Sequence, residues 1–188
     1  APDARMKKIL TEGVAIGNAT ARSITFRPRY ESAYFYPGKR QWYSSFTGGS
    51  HEFMNNGERV LDDRIMFHYY ATAITPAMAK PAVGTGSAYA IAAHDSKGNY
   101  LDGGKTYKVT LPGPVPAKDF WSFMVYDNQT RSVLETDQKT GGLDSNNPSV
   151  KANADGSYTM WFGPKAPKGH EGNWIQTMPG KGYNVLLR

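Results

Sequence analysis

The chain has no cysteine, which excludes disulfides, thiolate metal sites and a cysteine nucleophile. The same absence does not separate periplasm from cytoplasm, because a domain with a sufficient core needs no bridge in either. No apolar run approaches the roughly 20 residues that cross a bilayer as a helix, so no transmembrane segment is expected. No signal-peptide pattern precedes Ala1, although removal of a leader or an upstream domain remains compatible with the chain. Charge of one sign is not concentrated either. The formal charge is +6, from 22 Lys and Arg against 16 Asp and Glu, but the basic residues are dispersed. Their densest stretch, 22–29 with Lys39 and Arg40, reads as a solvated face, so no nucleic-acid partner is expected.

What is present suits a folded chain rich in strands and turns. With 13% aromatics, 20 Gly and 12 Pro, disorder is a poor description, and 188 residues suffice for one core with an appended element. Met6, Ile9, Leu10, Gly13, Val14, Gly17 and Ala21 recur at helical spacing, which predicts an amphipathic helix capped by Asp3 and packed along its apolar side. Residues 26–60 hold no lasting period and many turn formers; they read as an extended excursion suited to binding or to wrapping a partner. Residues 62–79 read as mostly helical, with Ile65, Met66, Tyr69, Tyr70 and Ala73 on one side and Pro76 ending or kinking the helix.

Beyond this point the period changes to two. Strands are expected at 87–94, at 107–111, at 120–126 with apolar residues on both faces, at 158–162 and at 183–187. Turns are expected at 95–99 and, as a hairpin signal, at 153–157. The fold class is therefore mainly β: an antiparallel jelly-roll-like β-sandwich preceded by helices and an extended connector, divided at 1–60 and 61–188.

No complete catalytic motif appears. His51-Glu52-Phe53-Met54-Asn55 carries Asn55 where a zinc helix needs its second histidine. Asp95, Asn99 and Asp102 lack the remaining oxygens of a calcium loop, and Gly84-Thr85-Gly86 lacks the rest of a dinucleotide fingerprint. No metal or cofactor is expected. The remaining argument is compositional: aromatic walls with charged groups, from Trp121, Tyr126, Arg131, Trp161, Glu171 and Trp174, suit a small polar or anionic ligand. The plainer reading places Trp121 and Trp161 in the core and lets Asp127 and Arg131 fasten a hairpin. The expected ligand-binding residues are Tyr126, Arg131, Glu171, Trp174 and His94, with Glu171 and Trp174 favoured by their loop setting.

Three segments, KTYKVTLPGPVPAKDFWSFMVYDNQTR, NADGSYTMWFGPKAP and EGNWIQTMPGKGYNVLLR, resemble the bacterial family DUF1214, and LDDRIMFHYYATAITPAM extends the likeness over 61–188. The resemblance implies a C-terminal jelly-roll-like sandwich, usually preceded by a second domain, DUF1254, in an exported or envelope-associated bacterial protein, with cytoplasm the alternative. Residues 1–60 look like the connector after that domain, so a missing N-terminal domain or a homo-oligomer is the expected partner. The family lends no catalytic residues, though its pattern agrees with Asp127, Arg131, Asp155 and Trp174. The leading expectation is a noncatalytic binding protein. Its rivals are a hydrolase-like acid/base enzyme pairing Glu171 or Asp95 with His94 or His170, and a structural oligomer subunit.

Overall fold

A computed structural model describes residues 1–72 and 74–188. It divides into two units, one of residues 1–33 and 45–80, the other of residues 34–44 and 81–188.

The first unit is helical. Asp3 accepts the Met6 amide at 2.8 Å, satisfying one of the donors a helix start leaves open, and α1 runs from Ala4–Phe26. Only its last turn, Ile24, Thr25 and Phe26, is buried. There Phe26 meets Tyr70 edge-on, and further back the Tyr69 hydroxyl donates to Asn18 Oδ1 at 2.8 Å. The expected packing along the helix is thus confined to its C-terminal end; Met6, Ile9, Leu10, Val14 and Ile16 stay exposed. In α2, Leu61–Tyr70, the inward residues are Asp63, Met66 and Phe67, while Ile65 is exposed. The rings of Phe46, Phe53 and Phe67 cluster around it.

The expected helix over 62–79 is interrupted. α2 ends at Tyr70, and a short α3, Pro76–Ala79, restarts with proline at its first turn, where its missing N–H is not needed. Ala73 lies outside the described residues. Within the excursion, β1 (Met54–Asn55) and β2 (Glu58–Arg59) form a hairpin closed by Asn56 and Gly57, both with positive φ. This is the backbone that an Asn-Gly two-residue turn favours.

The second unit is a two-sheet β structure. One sheet is antiparallel throughout, in the order β3 (Ala90–Ala92), β9 (Tyr183–Leu187), β5 (Ser122–Asp127), β6 (Gly142–Asp144). The other has the order β4 (Tyr107–Leu111), β7 (Tyr158–Gly163), β8 (Trp174–Gln176). Alternation along β5 turns Phe123 and Val125 inward, together with Tyr183 and Val185 of β9. Met160 and Phe162 of β7 and Ile175 of β8 oppose them, and the rings of Phe123 and Phe162 meet at 5.8 Å across the two sheets. Removing such a ring costs about 3–5 kcal/mol.

The arrangement is sandwich-like, and neither sheet closes on itself as a jelly-roll barrel would. β7 and β8 are parallel, a departure from the antiparallel expectation made feasible by residues 164–173, which lead the chain back to the start of the strand. The turn at 153–157 forms, with Asn153 and Ser157 bonded across it, but it leads into β7 without an upstream strand, since β7 pairs with β4. β5 is not covered on both sides: its residues alternate between buried and half-buried. Trp121 is in the core, whereas Trp161, one place out of register with Met160 and Phe162, is on the opposite face.

Candidate functional site

Two clefts in the second unit gather side chains suited to a ligand. The first, about 230 Å³, lies beside the 3-10 turn Glu171–Asn173 and is lined by Ser149, Lys151, Asn153, Thr159, His170 and Asn173, among others. Asn173 builds it. Its Oδ1 accepts the Lys151 amide at 2.8 Å, and its Nδ2 donates to the carbonyls of Lys151 and Thr159. One buried amide thereby ties Lys151 to the start of β7. Ser149 donates to Gly172 O, and any side chain at position 172 would strike the Ser149 backbone.

His170 is held by a ring contact. It stacks on Trp161 at 5.1 Å and 30°, while Lys108, paired with Trp161 across β4 and β7, places Nζ 5.7 Å from the indole centroid. Lys151 Nζ donates to Pro148 O, which leaves two of its three protons for a ligand. No carboxylate lines the cleft.

Glu171 and Trp174 flank this site without lining it. The Glu171 carboxylate accepts the Gly169 amide at 3.0 Å, and the N–H groups of Glu171 itself and of Gly169 hold it below the usual carboxylate range. Such a group keeps its charge and closes the turn. Trp174 Nε1 donates to Gly163 O at 2.9 Å, and its carbonyl accepts Gln138 Nε2, so the indole fastens β8 to β7.

The second cleft, about 280 Å³, is on the outer face of the four-stranded sheet, lined by Tyr89, Ser122, Met124, Tyr126, Leu186 and Arg188. Tyr126 belongs here. Burial, with Tyr89 beside it, pushes its hydroxyl pKa up, so the phenol remains protonated. Arg131 and His94 line neither cleft. Arg131 occupies a positive-φ turn position with Nη1 on Gln129 O, and the ion-pair partner of Asp127 is Lys181. His94 is buried and lies 4.3 Å from the Tyr100 ring.

Asp95 and Glu171, the carboxylates of the acid/base alternative, are each bonded within their own turns. Asp95 accepts the Lys97 and Asn99 amides, and these bonds, Asn99 first, hold its carboxyl low; it is the cap of its own turn. Among the described residues no group of three His, Cys, Asp or Glu is placed to hold a metal.

Residues 86–188 match the model of DUF1214, described as a protein of unknown function. The chain belongs to the DUF1214 family. Both clefts fall inside the matched region. The DUF1214 chain is also similar to the VPA0106 protein from Vibrio parahaemolyticus, a crystal structure with 19% identity and a TM-score of 0.51, over all of this chain and 41% of that one. An uncharacterized protein from Burkholderia cenocepacia shows 21% identity and a TM-score of 0.44, over all of this chain and 39% of that one. The chain thus spans about two fifths of the length of these structures. The Vibrio likeness is one of fold. No functionally curated protein matches the chain.

Among the described residues no helix is long and apolar enough to cross a membrane.

Proposed function

We propose that this DUF1214 domain is a noncatalytic binding module for a small anion, taken up in the cleft beside the 3-10 turn Glu171–Asn173. The observation that carries the reading is the pairing of two basic side chains, Lys151 and His170, in a lining that contains no carboxylate. Both are set on a frame held by its own hydrogen bonds. Asn173 spends its whole amide on backbone, and Asn153 donates to Ser157 and Thr159. The frame therefore has little to rearrange on binding, which lowers the cost of association. The volume is below that of typical drug-sized pockets, which suits phosphate or a short dicarboxylate.

Calorimetry with inorganic phosphate and with succinate tests this. Binding that weakens about tenfold or more in Lys151→Ala and in His170→Gln, corresponding to loss of a charge-assisted hydrogen bond, supports the reading. Equal binding by both variants and the parent, or none to either anion, sinks it.

A second reading is an assembly role for α1. Val14 and Ile16 are 72% and 67% exposed, on a helix whose two glycines and β-branched residues make it marginal without tertiary cover. Its bulky half (Met6, Ile9, Leu10) and its small half (Gly13, Gly17, Ala21) are complementary in an antiparallel pair with a second copy. A monomer across the micromolar range by light scattering removes this reading.

A further inference from the structure

Independently of the anion cleft, we propose that the outer face of the four-stranded sheet holds a second binding site, for a small carboxylic acid with an apolar body. The site is built by strand register. Met124 and Leu186 are direct cross-strand partners in β5 and β9, and both turn away from the core, so they form a continuous apolar floor. Tyr126 stands beside Met124, its hydroxyl 3.8 Å from the Met124 Sδ, and Tyr89, an exposed residue, completes the lining.

Arg188 supplies the polar end. Its backbone exchanges two hydrogen bonds with Ser122, at 2.9 and 3.1 Å. Its Nε donates to Ser87 Oγ at 3.1 Å, and its guanidinium lies 4.9 Å from the Phe120 centroid. These contacts fix the plane of the group, and the two Nη nitrogens have no hydrogen-bond partner among the described residues. No ion pair of the described residues involves it. A planar fork of two N–H donors matches a carboxylate, and the adjoining apolar floor selects a hydrocarbon or aryl body over a bare inorganic anion.

The test is amide chemical-shift mapping of the folded chain with 3-phenylpropionate, its neutral amide 3-phenylpropanamide, and inorganic phosphate. The expected result is saturable movement of the Ser122, Met124, Tyr126 and Leu186 amides by the acid, with affinity for the amide about tenfold weaker. In Arg188→Gln the acid falls to the level of the amide. Leu186→Ser weakens both. Phe120→Ala, which removes the ring beneath the guanidinium, reduces the acid's advantage without touching the floor. Equal affinity for acid and amide in the parent overturns the proposal. So does an acid preference that survives Arg188→Gln, or acid-induced shifts confined to Lys151 and His170. Phosphate movement at Lys151 and His170 reports on the other cleft separately.

Discussion

Asn184 and Asn128 form a buried amide pair where β9 meets the turn after β5: Asn184 Nδ2 donates to Asn128 Oδ1 at 2.8 Å. Asn128 Nδ2 in turn donates to the Tyr183 carbonyl at 3.2 Å. Asn184 is fully buried, so its amide cannot fall back on bulk water. Asn184→Ala is expected to cost about 1–3 kcal/mol, the penalty of leaving a buried acceptor unsatisfied. Urea unfolding checks it; a midpoint unchanged from the parent would show that the pair is not a stabilising unit.

Asp127 sets a pH dependence on the same strand end. Burial pushes its carboxyl up, but the Lys181 ammonium and the Gln129 and Thr130 amides outweigh burial and hold it below the usual range. A depressed folded value means that its contribution is present above the unfolded value of about 3.9 and is lost as pH falls through the folded value. Asp127→Asn should therefore be less stable than the parent at pH 7, with the gap closing as acid protonates the parent. Urea melts at pH 7 and below pH 3 measure this, and a gap of equal size at both is the contrary result.

Asp63 in the helical unit carries the opposite sign. Burial pushes its carboxyl above the ordinary range, outweighing hydrogen bonds from Thr47 that pull it down, and the Asp62 charge adds a smaller push upward; its Oδ2 is buried with no hydrogen-bond partner among the described residues. A raised folded value makes the native state hold its proton longer, so stability falls as pH rises from about 3.9 through the folded value. Asp63→Asn removes that loss. We expect the variant to equal or exceed the parent at pH 7, by up to about 1 kcal/mol, and to show a flatter pH profile over this window. A variant clearly weaker than the parent at neutral pH contradicts the assignment.

Some of the fold was legible because its cause is local. Asp3 before an apolar period announced the start of α1, and Tyr107, Val109 and Leu111 alternating with polar residues announced β4. Asp95 and Asn99 announced a turn that their own hydrogen bonds close. The Asn56-Gly57 hairpin carries an equally local signal, set among many other turn formers. The setting of Pro76 suits the end or a kink of a helix, and proline fits a helix start equally well, as it does in α3.

The site was less legible for a different reason. Glu171 and Trp174 look like loop residues in sequence, yet the first closes its turn and the second clamps two strands. Lys151, Ser149 and Asn153, which line the cleft beside them, carried no motif. Lys151 joins His170 only because Asn173 recognises its backbone. Likewise Arg188 reaches Ser87 and Phe120 through strand pairing alone.

The sequence by itself determined where strands, turns and the capped helix begin, because alternation, capping and turn chemistry act over a few residues. It determined the family as well, through motifs spread across 86–188. Only the tertiary structure decided that β8 runs parallel to β7, that Trp161 faces out, and which basic groups share a cleft without a carboxylate. Those facts depend on register and on backbone bonds between residues distant in sequence, where shifting one position exchanges the buried face for the open one.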